Sequence, residues 1–259
     1  MPQFAVILPA AGKSSRFRDK EKKPFATLEG RAVWLRTAEY FVARDEVIQT
    51  ILIVSREDEE LVRRRYGANL AFLNVQIAIG GTERFESVAN ALALVKPEVE
   101  LVAIHDAVRP CITEELVTAI FNKAAQTGAA ILAVPVTDTL KRVDAQRQIE
   151  STLPREGVWQ AQTPQVFRRD WLVEAYANRA KFGKDLTDDA QLIEAAGHRV
   201  HIVEGTPLNV KITTKQDLIL AEAVLKARPK PQVPRAAHPF AEEEMWGKQT
   251  KPRGRGDSG

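Results

Sequence analysis

Leu8-Pro9-Ala10-Ala11-Gly12-Lys13-Ser14-Ser15-Arg16-Phe17 follows the first apolar run of the chain, with Lys22-Lys23-Pro24-Phe25 close behind. Small residues directly after a strand let backbone N–H groups approach phosphate oxygens. Ala10, Ala11 and Gly12 are suited to that role, and Arg16 and Lys23 add cationic donors of the kind a triphosphate needs. Lys20 and Lys22 read as ordinary solvated lysines. The spacing is neither G-x-G-x-x-G nor G-x-x-x-x-G-K-[ST], which excludes the common dinucleotide and P-loop signatures. A strand-to-helix turn needs small residues for its own sake, so these residues alone leave both readings open.

Gly80-Gly81-Thr82-Glu83-Arg84-Phe85-Glu86-Ser87 sits at a second strand end. The glycine pair permits positive φ angles and close backbone contact. Thr82 and Ser87 bring hydroxyls to a helix N-terminus, where a plain capped helix would use them too. A third stretch, His105-Asp106-Ala107-Val108-Arg109-Pro110, ends another apolar run. Ligands of open α/β sheets gather outside the carboxyl ends of strands. Asp106 there can hold Mg²⁺ or another divalent cation, directly or through water, and Arg109 can fork onto a phosphate. His105, beside a strand-end acid, reads as a structural hydrogen-bonding group. Thr137-Asp138-Thr139, Arg155, Gln162-Thr163-Pro164-Gln165 and Asn209-Val210-Lys211-Ile212-Thr213 add hydroxyls and cations suited to a phosphorylated substrate.

The elements that must position these residues alternate along the chain. Residues 4–8, 48–54, 75–79, 101–104 and 130–136 are short, nearly continuous apolar runs, as strands covered on both faces read. Helical patterns fill 31–44, 58–66, 84–95 and 113–126, the last with Thr113 as N-cap, acids in its first turn and Gly128 as its stop. This alternation predicts an α/β fold with a doubly wound, mostly parallel sheet. Residues 139–159 are polar and extended and predict a projecting β-hairpin arm with its turn near Asp144. Helices are expected again at 169–179 and 188–196, strands at 199–203 and 209–212, and a closing helix at 214–227 capped by Thr214. One domain over 1–227 is therefore expected, followed by a disordered Pro/Gly/charged tail over 228–259.

Charge and composition narrow the function further. The tail from Arg228 carries seven of the 37 Lys and Arg and four of the 34 acids, leaving 30 of each in residues 1–227. A neutral body lacks the electrostatic footprint of a nucleic-acid binder. One cysteine excludes an internal disulfide and a Cys-x-x-Cys zinc site. No run reaches the ~18 apolar residues of a membrane span, and no signal peptide is visible, so a cytoplasmic protein is expected. No Ser–His–Asp or Cys–His constellation points to a protein nucleophile.

The motifs PAAGxxxRF, KKPF, GGxERxxSV, HDAVRP, PVTDTLKR, WQAQTPQ, TDD and NVKIT, in this order, resemble the 2-C-methyl-D-erythritol 4-phosphate cytidylyltransferase family over about residues 3–226. The resemblance implies a Rossmann-like nucleotidyltransferase that moves CMP from CTP to methylerythritol phosphate with Mg²⁺. It also implies a homodimer joined through the 139–159 arm, with Arg155 crossing to the other subunit. It places Ala10, Ala11 and Gly12 along the CTP site, Arg16 and Lys23 on its phosphates, and Gly81, Thr82 and Ser87 around the cytosine. Asp106 and Arg109 fall to the substrate and metal region. Thr139, Arg155, Thr163 and Lys211 surround the substrate phosphate, with Arg16, Lys23 and Lys211 as catalytic cations. Two departures stand out: Lys22-Lys23-Pro24 replaces a Lys-Gln pair, and Ser14-Ser15 replaces a glycine-bearing stretch, which makes that loop stiffer. The rival reading is a cytidylyltransferase for another sugar-alcohol phosphate such as ribitol 5-phosphate.

Overall fold

Two-faced apolar runs need cover on both sides, and the chain supplies it with helices on each face of one sheet. A computed structural model describes residues 1–12, 14, 17, 21–182 and 186–228. The chain begins with β1 (Phe4–Pro9), a two-strand ladder of β2 (Thr27–Leu28) and β3 (Arg31–Ala32), and α1 (Val33–Val42). Then come β4 (Val47–Val54), α2 (Glu59–Phe72), β5 (Val75–Ile79), α3 (Arg84–Leu92), β6 (Leu101–Ile104), α4 (Glu114–Thr127) and β7 (Ala129–Pro135). A hairpin of β8 (Leu140–Val143) and β9 (Ile149–Leu153) precedes β10 (Trp159–Arg168), α5 (Arg169–Ala177), α6 (Asp189–Ala195), β11 (His201–Glu204) and α7 (Lys215–Ala227). Met1–Leu225 form one compact unit. The tail expected over 228–259 lies outside the described residues except for Arg228.

The main sheet has seven strands in the order β11-β7-β10-β6-β1-β4-β5. Every pairing is parallel except those of β10, which runs antiparallel to both β6 and β7. Alternate residues of each strand serve opposite cores. Phe4, Val6 and Leu8 of β1 pack with α1, α2 and α4 through Trp34, Phe41, Tyr66, Ile120 and Phe121. Ala5 and Ile7 face the other way, toward Phe85, Val88 and Leu92 of α3, Leu172 of α5 and Ile193 of α6. Each fully buried leucine or isoleucine in these layers contributes about 1.5–3 kcal/mol. A third cluster seats Ala221 and Val224 of α7 against Val108, Cys111 and Ile212. Among the described residues no helix is long and apolar enough to cross a membrane.

The expected strands and helices form close to their predicted places, and the hairpin turns where Asp144 accepts from the Gln148 N–H at 2.8 Å. Thr113 caps α4 by accepting from Leu116 N–H, and Gly128 closes it at φ 82°. One expectation is corrected, and one strand was not foreseen. Residues 209–212 form no strand, because isolated bonds rather than a ladder hold that backbone: Arg109 donates to the Asn209 carbonyl at 2.7 Å, and Ile212 N–H donates to the Val108 carbonyl at 2.9 Å. Residues 159–168 form the sheet's longest strand, which their polar Gln and Thr content concealed.

Candidate active site

Parallel strands end on one edge of the sheet, and the loops leaving β1, β5 and β6 meet there. Ala10 N–H donates to Ile53 O at 2.8 Å, Gly80 N–H to Val54 O at 2.8 Å, and Ala107 N–H to Pro9 O at 3.4 Å. Gly80 is needed for close approach: a Cβ there would lie 2.8 Å from the Ala11 Cβ and 3.0 Å from Ser87 Oγ. Gly81 is crowded in the same way by Glu86, at 2.5 Å. Neither glycine takes the positive φ that the pair permits, so close contact alone excludes side chains here.

The turn before α3 is folded by its own side chains. Gly81 N–H donates to Ser87 Oγ at 3.1 Å, and the Ser87 hydroxyl donates to Glu83 O at 2.9 Å. Thr82 donates from both its N–H and its hydroxyl to Glu86 Oε2, which closes a capping box with Glu83. Hydrogen bonds from Thr82 and Glu83 hold the Glu86 carboxyl below its usual range. The hydroxyls of Thr82 and Ser87 are thus engaged inside the turn.

At the end of β6 the chain buries a cluster of polar groups. Asp106 Oδ2 meets Lys211 Nζ at 2.9 Å and Arg109 Nε at 3.3 Å. Burial would raise the Asp106 carboxyl, but the charges of Lys211 and Arg109 outweigh it and hold the group far below the carboxylate range. Asp106 N–H donates to Thr163 Oγ1 at 3.0 Å, Thr163 Oγ1 lies 3.2 Å from His105 Nδ1, and His105 Nε2 lies 3.3 Å from Arg109 O. A carbonyl only accepts, so Nε2 carries the proton and Nδ1 accepts from the threonine hydroxyl. Burial lowers the His105 imidazole to about 4, against a weaker opposing pull from Asp106. His105 therefore stays neutral and structural, as its sequence position indicated. Asn209 completes the cluster by donating from Nδ2 to Gln162 Oε1 at 3.1 Å and to Thr163 O at 3.0 Å.

The loop between β1 and β2 gives its adjacent Lys22 and Lys23 different surroundings. Lys22 is no solvated lysine: it sits 2.7 Å from Asp58 Oδ2 and 3.3 Å from Ser55 Oγ, which corrects the sequence reading. Lys23 N–H donates to Ser14 Oγ at 3.4 Å, and Ser14 takes φ 53°, a left-handed conformation that glycine favours. Arg16, expected on the phosphates, lies outside the described residues.

Thr139 and Arg155 stand apart. Both are exposed at the root of the hairpin, and Arg155 donates to the Thr137 carbonyl. Among the described residues no hydrogen bond joins either to the Asp106 cluster. The sheet brings Asp106, Arg109, Thr163 and Lys211 together, and places Ala10, Ala11, Gly81, Thr82 and Ser87 along the same edge. The sequence reading named Gln162 and Asn209 only as members of polar runs and gave them no role of their own; their bonds to Thr163 and to each other supply one. Among the described residues no three His, Cys, Asp or Glu side chains gather as a metal cluster.

Comparison with known proteins bears on the family and the fold. A model of the family described as 2-C-methyl-D-erythritol 4-phosphate cytidylyltransferase matches residues 4–227. The chain is similar to a protein of that name from Solibacter usitatus, 40% identical over 234 residues, which is 86% of this chain and 96% of the relative. It is 41% identical over 232 residues to one from Rhodopirellula baltica, covering 85% and 94%. Among solved structures, the 4-diphosphocytidyl-2C-methyl-D-erythritol synthase of Anaerococcus prevotii superposes with a TM-score of 0.74 at 30% identity, over 87% of this chain and 99% of that one. The Thermus thermophilus cytidylyltransferase gives 0.72 at 32%, over 88% and 100%.

Proposed function

The chain belongs to the 2-C-methyl-D-erythritol 4-phosphate cytidylyltransferase family, and from that membership we propose how its own residues carry the reaction. It transfers the CMP moiety of CTP to 2-C-methyl-D-erythritol 4-phosphate and releases pyrophosphate, a step of isoprenoid precursor synthesis. Nothing in the comparisons supports a ribitol phosphate acceptor. The observation that carries the residue assignment is the buried Asp106, paired with Lys211 and Arg109 where β6 ends.

An oxygen of the acceptor phosphate bonds to the α-phosphorus of CTP as the bond from that phosphorus to the leaving pyrophosphate breaks. A phosphomonoester is already ionised near neutral pH, so no protein base or nucleophile is required. The chain's task is to hold the two anions in line and neutralise the charge that develops. Lys211, oriented by Asp106 and half exposed, is assigned to the reacting phosphates together with Lys23 and, from sequence, Arg16. Backbone of the 10–12 and 80–82 turns is assigned to the nucleotide, with Thr82 and Ser87 shaping the second turn rather than donating to the base. Arg109 and Thr163 line the acceptor side.

The donor set fits Mg²⁺ in one way only. Asp106 Oδ2 already meets two cations, so a divalent ion is tolerable there only when the triphosphate is present. Asp106 would be the residue that holds it, and it would supply neutralisation of phosphate charge.

Thr139 and Arg155 are assigned to the acceptor phosphate of a partner subunit in a homodimer. The arm supports this with exposed Val143, Ile149, Val158 and Trp159 and with sheet edges that a second copy would cover. The reaction is placed in the cytoplasm with its two charged, water-soluble substrates. Pyrophosphate release should be measured for CTP, UTP, ATP and GTP against methylerythritol 4-phosphate and ribitol 5-phosphate. CTP with the former is expected to exceed UTP at least ~10-fold, ~1.4 kcal/mol; equal turnover would overturn the assignment of the base to the 80–82 backbone.

A further inference from the structure

Behind the 80–83 turn lies a set of charged groups that the reaction as described does not use. Arg84 is the first residue of α3, yet its guanidinium leaves that helix and donates from Nη2 to Asp189 Oδ2 at 2.6 Å, 105 residues along the chain. The Asp189 side chain is fully buried. Its other oxygen accepts the Tyr176 hydroxyl at 2.5 Å. Burial of a carboxylate is costly unless it is paired and fully hydrogen-bonded, and losing one partner strands the charge. A second tie reaches the same turn: Arg179 sits 3.3 Å from Glu83 and 4.4 Å above the Phe85 ring.

The same short helix that carries Asp189 is fastened to the acceptor side. Asp188 caps α6 and accepts from Gln165 Nε2 at 2.7 Å, while Gln165 Oε1 accepts from Ala190 N–H at 3.1 Å. Gln165 stands two residues after Thr163 on β10. One end of α6 therefore spans from the turn assigned to the nucleotide to the strand assigned to the acceptor. Arg84 also keeps Nη1 buried with no hydrogen-bond partner among the described residues. Burial would weaken its hold on its proton, but Asp189 and, further off, Asp106 reverse that.

We propose that Arg84, Asp189 and Tyr176 are positioning residues that set the 80–83 turn for nucleotide binding and thereby for discrimination between CTP and UTP. The inference rests on the assignment of that turn to the base. Asp188 and Gln165 hold α6 in place as the fixed support against which Arg84 is braced.

The test is steady-state kinetics on purified full-length chains, with both substrates varied and melting temperature recorded. Asp189→Asn keeps the shape and removes the charge. It is expected to raise KM for CTP about tenfold and to lower the CTP-over-UTP ratio, with KM for methylerythritol phosphate moving less than about twofold. Tyr176→Phe removes one hydrogen bond without a cavity and is expected to act in the same direction by about threefold. It decides the matter if Asp189→Asn does not fold. Gly81→Ala, which forces a Cβ onto Glu86, tests the underlying assignment separately. If Gly81→Ala leaves KM for CTP unchanged, the turn does not hold the base and the parent reading fails. If Gly81→Ala raises it while folded Tyr176→Phe and Asp189→Asn chains lower only the melting temperature, the buried cluster is mere support and this inference is overturned.

Discussion

At the end of β6, Asp106 has Lys211, Arg109 and Thr163 fixed around it within its own chain, whereas the β8–β9 arm turns most of its side chains to solvent and spends Arg155 on a nearby carbonyl. Polar groups buried in the first region are costly to leave unmatched, so the fold pairs most of them before any ligand arrives; among the described residues Asn209 Oδ1 is an exception. The arm has little to bury, and a lone two-stranded hairpin is marginal in water. Preorganisation thus belongs to the sheet, and whatever the arm contributes depends on a surface it does not itself carry.

The largest effect should come from the preorganised side. Lys211→Ala and Lys23→Ala are each expected to lower kcat by at least about two orders of magnitude, ~3 kcal/mol, with the fold retained. Circular dichroism alongside single-turnover rates checks this. A Lys211→Ala chain with near-normal kcat would reduce Lys211 to a counterion for Asp106.

The pH dependence of stability sharpens the same contrast. His105 is neutral in the fold, held down to about 4 from 6.5, while the unfolded chain protonates it normally. Between those values the unfolded state binds more protons, so stability falls as pH falls, by about 3 kcal/mol in all. The loss that Asp106 adds begins only as pH drops through its ordinary value of 3.8, because its folded value is lower still. Urea midpoints from pH 7 to 4 should slope for the native chain and flatten for His105→Gln. Equal slopes would show that the imidazole is not kept neutral.

For the arm, subunit mixing is decisive. Arg155→Ala and Lys23→Ala chains, each inactive alone, should recover at most about half of native activity per mixed dimer, because one site then holds both defects and the other neither. With exchange verified by mass, no recovery would mean that Arg155 serves its own subunit. The smallest effect is expected at Lys22, a cation close to the site but already bound to Asp58. Lys22→Ala should cost about 1 kcal/mol of stability and change kcat less than about threefold. A kcat loss at Lys22 larger than that at Lys23 would reverse their assigned roles.

Strands with both faces buried were plain in the sequence because apolar content alone marks them, as in residues 51–54. β10 was hidden by the opposite circumstance: Gln162, Thr163 and Gln165 occupy buried positions for the sake of the site, so the strand departs from the pattern that would identify it. Asp106 could be found from its place at a strand end. Asp189 could not, since an acid in the first turn of a helix reads as an ordinary partner of the helix dipole. Only the fold brings Arg84 and Tyr176 to it. Residues 209–212 misled in the other sense, with strand-like composition but a backbone held by Arg109 and by Asn209's own bonds to β10.

The antiparallel β10 between β6 and β7 also dictates an order of events during folding. β1, β4, β5 and β6 are contiguous in both sequence and sheet and can assemble as the chain emerges. β7 has no neighbour until later, because both of its partners, β10 and β11, follow it in sequence. Long-range pairings close slowly. Until residue 168 has been made, the apolar Ala129–Pro135 strand waits with two bare edges, a hazard for aggregation. Asp106 meets Thr163 and Lys211 only after that insertion, so the reaction centre acquires its structure later than the β6-β1-β4-β5 part of the sheet.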